Sequence, residues 1–266
     1  MGYENGLVVF IDVLGTRNTT NFEKKLTIHD LWHDSAREVE SRGSNFPDAR
    51  TLTRKVFSFS DCAYYTYTFN ERASEERKKS MAPFNEVLQS LTTVIQKILN
   101  EGFFVRGGAA LGDVYVDDKG LFGPAAEKAY ELESRHAIYP RIILENNFGE
   151  RLLEYINEEY VKGAQPTIYK EANDYFLNTF YGFTAETNCG LEWDVFYKNL
   201  LKTAHDTLIN LEQENIDEKE KRKIEEKMSW ISAEATKEND RLIGYIKVFH
   251  ERVEEQISRL LSQHSR

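Results

Sequence analysis

Two aspartates at the ends of predicted strands are the first candidates for chemistry in this sequence. Leu7–Phe10 is a run of four apolar residues, typical of a strand buried on both faces, and Asp12 follows at its carboxyl end. Gly15 then permits a tight turn. A carboxylate buried there without a partner would be very costly, and Mg²⁺ is a natural partner because one or two carboxylates plus substrate phosphates typically hold it.

Asp61 is the candidate for a second carboxylate on the same cation. Residues 55–69 alternate and are rich in aromatic side chains, which predicts a β-hairpin of strands 56–61 and 62–69. Ser60-Asp61 would form its turn, although Ser-Asp is also simply favourable turn chemistry.

A third candidate, Arg106, lies in a predicted strand at residues 103–116 that several glycines loosen. Glycines inside a strand indicate that a ligand or another backbone comes close. An arginine among apolar neighbours needs an anionic partner, for which both a phosphate and a structural carboxylate are open. We expect a hairpin turn at residues 117–120.

Alternating helices and strands must position these side chains. The patterns predict helices over 18–45, from Phe84 to near Gly102, after Pro124, and over 147–160, with a strand at 141–144. In the helix after Pro124 the apolar residues can pack, and the charged residues should decorate its surface. The charged set is Glu127, Lys128, Glu131 and Glu133. This order predicts an α+β sandwich, a mixed sheet with helices on one face.

Composition changes near Leu191, where Glu, Lys and Arg become frequent. We therefore predict a catalytic domain over residues 1–185 and a helical extension over 186–266, built from helices at 191–211 and 216–261. The extension would be a helical hairpin or one long helix with an apolar stripe. The stripe comprises Leu242, Ile246, Phe249, Val253, Ile257 and Leu260.

Composition also limits the function. Of the 266 residues 41% are hydrophobic, which is enough for a globular core, and the net charge of −10 argues against a nucleic-acid or acidic-membrane binder. Two cysteines are too few for a disulfide framework or a thiolate zinc site. With no recognisable signal peptide or membrane span, a soluble cytoplasmic protein is expected.

His29 and His33 are spaced i, i+4 on the first predicted helix, a spacing that can ligate Zn²⁺. No third ligand follows at a familiar spacing. A solvated helix face is the preferred interpretation, and a zinc hydrolase is the alternative.

Three stretches together resemble the class III nucleotidyl cyclase catalytic domain. They are residues 10–15 (FIDVLG), residues 59–61 (FSD), and residues 105–112 (VRGGAALG) with Phe122-Gly123 and the helix through Glu133. The resemblance covers about residues 6–145 and implies a ferredoxin-like βαββαβ core. It also implies that Asp12 and Asp61 bind two divalent metals, Mn²⁺ or Mg²⁺. The backbone of Ile11 and the turn residues Val13, Leu14, Gly15 and Thr16 would line the metals and phosphates.

The sequence also departs from ordinary adenylate and guanylate cyclases. Phe57 stands where they carry a base-selecting residue, and Gly120 stands near their second selector. Their transition-state Asn and Arg correspond to Glu127 and Glu131.

The motifs FIDVLG, FSD and VRGGA, together with FGPAAEKAYELE at residues 122–133, resemble those of the Pycsar pyrimidine cyclases of anti-phage defence. This implies a lyase, a uridylate cyclase or less readily a cytidylate cyclase, that makes cyclic UMP or cyclic CMP for a responsive effector. Arg106 would contact phosphate or the transition state, and Phe57 would narrow the base pocket for a single ring. By analogy, the enzyme is a homodimer with sites at its interface, and neither nucleic acid nor membrane is a partner. The alternative is a catalytically inactive module that binds nucleotide or dimerises.

Overall fold

The structure, a computed structural model, describes residues 2–14, 21–42, 51–159, 166–180, 189–213 and 217–264. The chain divides into two compact units, Met1–Tyr181 and Gly182–Arg266. The predicted division between residues 185 and 186 lies outside the described residues. Among the described helices, none combines the length and the apolar content that crossing a membrane requires.

The first unit is built on one mixed sheet flanked by helices. Its strands are β1 (Glu4–Leu14), β2 (Leu52–Phe59), β3 (Cys62–Phe69), β4 (Phe104–Val116), β5 (Leu121–Phe122), β6 (Ile142–Leu144), β7 (Ile168–Glu171) and β8 (Asp174–Leu177). Its helices are α1 (Phe22–Arg42), α2 (Glu75–Lys79), α3 (Ala82–Asn100), α4 (Pro124–Glu131), which continues into a π-helical turn (Leu132–His136), and α5 (Asn146–Glu159).

The strand order confirms the predicted α+β class and its βαββαβ core. The order is β2-β3-β1-β4-β6-β8-β7, and β1 runs antiparallel to both of its neighbours, β3 and β4. With α1 between β1 and β2 and α3 between β3 and β4, the first four strands form two interleaved split βαβ units. β1 is central because its apolar run, Leu7–Ile11, is buried.

Helices cover both faces of this sheet, so the expectation of helices on one face was wrong. Tyr65 pairs with Val9 and donates its hydroxyl to the Trp32 carbonyl at 3.0 Å, which places α1 on the Val9 face. Phe10 on the opposite face contacts Tyr130 of α4. A strand that is apolar on both faces needs a cover on each side.

The glycine-rich strand permits this second cover. A Cβ on Gly108 would overlap the carbonyl oxygen of Ala129 and lie 2.6 Å from the Leu132 Cβ. The close approach predicted from the glycines of β4 is therefore an approach of another backbone, that of α4 and its π-helical turn.

Two strands of the sheet were not predicted. β7 and β8 are four residues each and form a hairpin that extends the sheet beyond β6. Their polar residues, among them Lys170, Glu171 and Asp174, are typical of a loop, so the sequence pattern alone does not indicate strands.

The second unit contains α6 (Cys189–Gln213) and α7 (Glu218–His264), which pack against each other. Buried residues recur every three or four positions along both helices, which is the spacing of one helix face. They are Phe196, Leu200 and Ala204 in α6 and Met228, Ile231 and Ala235 in α7. The hairpin form of the predicted helical extension is thus the one present, while the side chains of the predicted stripe at 242–260 lie outside those described.

Candidate active site

Asp12, Cys62 and Arg106 lie in one row across three neighbouring strands. In the antiparallel register Asp12 is opposite Cys62 of β3 and opposite Arg106 of β4. Paired residues of an antiparallel ladder project to the same face, so the three side chains are neighbours on the face that carries α4. Asp12 has 21% of its side chain exposed, so it remains open to solvent.

Asp61 reaches this row through the β2–β3 hairpin. Phe59 pairs with Cys62, which leaves Ser60 and Asp61 as the two-residue turn that the sequence predicted. Ser60 has a positive φ of 57°, as the first loop residue of a tight hairpin often does. The Asp61 carbonyl accepts a hydrogen bond from the Val13 amide at 3.0 Å, which fastens the turn to the end of β1 directly beside Asp12.

Arg106 is paired with carboxylates. Its Nη2 lies 3.4 Å from Asp12 Oδ2, and its Nε lies 2.5 Å from Glu133 Oε1. Of the two partners left open by the sequence, the structural carboxylate is therefore present. The Arg106 side chain is 26% exposed, so it is not fully enclosed by the protein.

Glu133 is the site residue that sequence reasoning missed. The prediction that it decorates the helix surface was wrong, since Glu133 is only 4% exposed and lies in the π-helical turn after α4. A charged residue in a helix by itself predicts an exposed position. The spacing of three and four from Ala126 through Ala129 to Glu133, one helix face, is the signal that could have placed it in the interior.

Aromatic side chains form a second row next to the charged one. Phe57 is half-buried and opposite Tyr64, whose ring lies 4.5 Å from that of Phe10. Burial, followed by the nearby Cys62, Tyr130 and Glu133, raises the pKa of Tyr64 to about 12. The Tyr64 hydroxyl thus stays protonated at neutral pH and offers a hydrogen-bond donor rather than a general base.

The remaining predicted positions are at the end of β1 and in the residues that follow it. Ile11 and Val13 are buried, Leu14 is half-buried, and Gly15 and Thr16 lie outside the described residues. The Val13 amide is committed to Asp61.

The positions that depart from the cyclase pattern make contacts within the protein. Glu131 pairs at the surface with Lys128 at 3.1 Å and with Arg135 at 3.3 Å, and the Lys128 hydrogen bond is the main cause that lowers its pKa. Gly120 donates its amide to Asp117 in the β4–β5 turn.

The histidine pair is not assembled as a metal centre. The rings of His29 and His33 are 4.9 Å apart, and His33 Nε2 lies 2.9 Å from the Ser58 hydroxyl. Within the described part of the chain, no group of three or more His, Cys, Asp or Glu residues is arranged to hold a metal ion.

Two carboxylates at adjoining strand ends are nevertheless a donor set of the right chemistry for a hard cation. Mg²⁺ keeps several waters and is usually held by one or two carboxylates together with substrate phosphates. Asp12 and Asp61, both partly exposed, match that requirement without a third protein ligand.

The pKa of the Cys62 thiol depends on the carboxylates around it. Its pKa is raised, first by burial and then by the negative charges of Asp12, Asp61 and Glu133. The thiol donates to the Phe59 carbonyl at 3.0 Å, which lowers the pKa but does not offset these causes.

We expect Asp61→Asn to increase the alkylation rate of Cys62. A raised pKa leaves less of the reactive thiolate at a given pH, and removing the Asp61 charge removes one of its causes. The measurement is the iodoacetamide rate of Cys62 as a function of pH in a Cys189→Ser background, with Asp113→Asn on β4 as the control. Equal rates for Asp61→Asn and the control would mean that the Asp61 charge does not reach Cys62.

Comparison with known families and proteins does not assign the chain to a family. No family model matches it, and no curated protein matches it significantly. Among solved structures, it is similar to the catalytic core of a rhodopsin-guanylyl cyclase with converted specificity in complex with ATPalphaS. The identity is 16% and the TM-score 0.43, over 67% of this chain and 97% of that one.

Two further cyclase domains have comparable similarity. The guanylate cyclase domain of RhGC from Catenaria anguillulae in complex with GTP is 15% identical with a TM-score of 0.43, over 67% of this chain and 98% of that one. A bacterial light-regulated adenylyl cyclase is 12% identical with a TM-score of 0.37, over 69% and 94%. Similarity at this level does not establish an activity, so the proposal that follows rests on the site residues.

Proposed function

We propose that this protein is a nucleotidyl cyclase that converts a pyrimidine nucleoside triphosphate, UTP in preference to CTP, to the 3′,5′-cyclic monophosphate and pyrophosphate. The observation that carries the proposal is the attachment of the Asp61 turn to the end of β1, which brings Asp61 beside Asp12. A function in anti-phage defence, with a cyclic-pyrimidine-responsive effector, is supported by the resemblance of the motifs alone.

In this reaction the ribose 3′-oxygen attacks the α-phosphorus, the bond to the β-phosphate oxygen breaks, and pyrophosphate leaves. The 3′-hydroxyl proton is released to solvent. Two divalent cations, Mn²⁺ or Mg²⁺, when bound would lower the pKa of that hydroxyl and offset the triphosphate charge. Because little covalent chemistry is required of the protein, positioning and charge stabilisation dominate.

The chain's own residues would divide these tasks. Asp12 and Asp61 would hold the cations, with the backbone of Ile11 and the turn from Val13 to Thr16 beside the phosphates. Arg106, whose side chain is 26% exposed, would donate to a phosphate oxygen as charge develops there, since charge-assisted contacts of this kind are the strong ones.

Base selection would fall to the aromatic row. Phe57, half-buried and paired with Tyr64, offers an apolar ring on the face that carries Asp12, and we expect it to narrow the base pocket for a single ring. Phe59 and Tyr130 are exposed on the same face. In a homodimer with sites at its interface, a second subunit would cover this face and complete the pocket; a two-fold interface would then contain two equivalent sites.

The test is incubation of the purified protein with each of the four NTPs and Mn²⁺, followed by identification of the products by mass. We expect a cyclic pyrimidine nucleotide from UTP, less from CTP, and at least about tenfold less product from ATP or GTP, because one ring of size difference in an apolar pocket is worth that much. Equal use of purines would contradict the role of Phe57. Replacing Phe57 by Ala should relax the preference.

An inactive nucleotide-binding module is the second candidate, and two observations favour it. Arg106 already neutralises part of the Asp12 charge, and Glu127 and Glu131 stand where the family has a neutral donor and a cation. This candidate predicts that UTP and Mn²⁺ bind, as calorimetry would show, while no NTP gives a cyclic product.

A further inference from the structure

The Arg106 guanidinium lies at ion-pair distance from two carboxylates. The Nε edge faces Glu133 at 2.5 Å, and the Nη2 atom faces Asp12 at 3.4 Å. The two carboxylates differ in their surroundings, because Glu133 is buried whereas Asp12 is a partly exposed candidate cation ligand.

Glu133 is held in the interior by its backbone as well as by its charge. The π-helical turn lies against β4 at Gly108, where a Cβ would be 3.0 Å from the Glu133 amide nitrogen. π-helical turns inside helices occur frequently at functional sites. A carboxylate that is buried in this way needs a permanent cationic partner, and removing that partner is costly.

We propose that Glu133 is the positioning residue of the site, because it fixes the Nε side of the Arg106 guanidinium. When a cation binds the Asp12 carboxylate, the Nη2 atom of Arg106 can then leave Asp12 and contact a substrate phosphate. This inference rests on the proposed function for the destination of Arg106. Its first half, the coupling between Glu133, Arg106 and Asp12, does not depend on turnover.

The physical reason is competition for one carboxylate. A guanidinium and a divalent cation both lower the energy of ionised Asp12, and the guanidinium opposes the cation through like-charge repulsion. With Glu133 ionised, the charge of Arg106 is shared between two carboxylates. In Glu133→Gln, Arg106 would be drawn to Asp12, and the cation would bind less tightly.

The decisive measurement is Mn²⁺ binding without nucleotide, by electron paramagnetic resonance, in Glu133→Gln, Arg106→Gln and the double variant. We expect Glu133→Gln to weaken Mn²⁺ binding about tenfold, because residues that orient metal ligands typically contribute 10- to 100-fold. Arg106→Gln should instead tighten it, since the competitor is gone. The double variant should match Arg106→Gln alone, because on this proposal the effect of Glu133 on the cation passes through Arg106.

The chain offers a matched control for this cycle. Arg141 also pairs with two carboxylates, Glu171 at 3.1 Å and Asp174 at 3.5 Å, on the hairpin of β7 and β8. Glu171→Gln therefore removes one carboxylate from a similar arginine pair and should leave Mn²⁺ affinity and turnover unchanged.

The kcat and KM of Glu133→Gln then distinguish a positioning role of Glu133 from a purely structural one. With UTP and saturating Mn²⁺, Glu133→Gln should lower kcat by about 10- to 100-fold with little change in KM. Additive effects in the double variant, or wild-type Mn²⁺ affinity in Glu133→Gln, would overturn the proposal. If Glu133→Gln alone does not fold, the double variant, which removes both charges of the ion pair, is compared with Arg106→Gln; unequal affinities would overturn the proposal. A wild-type protein that makes no cyclic nucleotide would refute the proposed function and leave the binding cycle standing.

Discussion

Asp61→Ala is expected to abolish formation of the cyclic nucleotide while the protein stays folded. Loss of one carboxylate from a two-carboxylate cation site should reduce kcat by at least about 10³-fold, or about 4 kcal/mol in activation free energy. The fold should persist because the contact that fastens this turn to β1 uses the Asp61 backbone carbonyl, which alanine retains. Product formation from UTP with Mn²⁺ and the thermal unfolding midpoint are the two measurements.

A second hairpin of the same sheet supplies the matched control. The turn between β7 and β8 also has two loop residues, and its first, Ala172, has a positive φ of 52° like that of Ser60. Asn173 occupies the position that corresponds to Asp61, and it is exposed. Asn173→Ala should leave turnover unchanged and alter stability by no more than about 0.5 kcal/mol. If Asp61→Ala keeps more than a tenth of wild-type activity, Asp61 is not a cation ligand.

Local patterns were sufficient to predict the elements that hold the two aspartates. The apolar run of β1 and the alternation around Ser60-Asp61 are properties of short segments, and both elements are found, although β2 (Leu52–Phe59) begins and ends earlier than the predicted strand 56–61. The amphipathic stripe of α3, from Phe84 to Ile98, is likewise buried. Each of these signals depends on the identity of neighbouring residues within one element.

The missed features depend on contacts between elements distant in sequence. Glu133 is buried because it meets Arg106 from another element, and a charged residue by itself indicates a surface position. β7 and β8 are short and polar, and they become strands by pairing alongside β6. Packing of α4 on the sheet requires a strand surface without large side chains, and the glycines of β4 supply it. The sequence does not show which element packs on those glycines.

Gly108→Ala is expected to destabilise the first unit by about 2–3 kcal/mol, because overpacking an interior that cannot move apart costs this much. The added methyl group would overlap backbone, the Ala129 carbonyl, and would meet the Leu132 Cβ at 2.6 Å. A backbone carbonyl in a helix cannot turn aside as a flexible side chain can. The free energy of unfolding in urea measures the loss, which is a large fraction of the stability of a typical domain.

Gly112→Ala is the matched change in the same strand and on the same face, since the two positions are four residues apart. Its Cβ would lie 3.8 Å from that of Ala125, an ordinary contact, so stability should change by no more than about 0.5 kcal/mol. Equal effects of the two substitutions would mean that α4 does not lie on Gly108. A Cβ on Gly108 would also lie 3.0 Å from the Glu133 amide nitrogen. Gly108→Ala should therefore move Glu133 away from Arg106 and weaken Mn²⁺ binding. A glycine that touches neither substrate nor cation would then be required for the site, because only a bare backbone lets the carboxylate of one element reach the arginine of another.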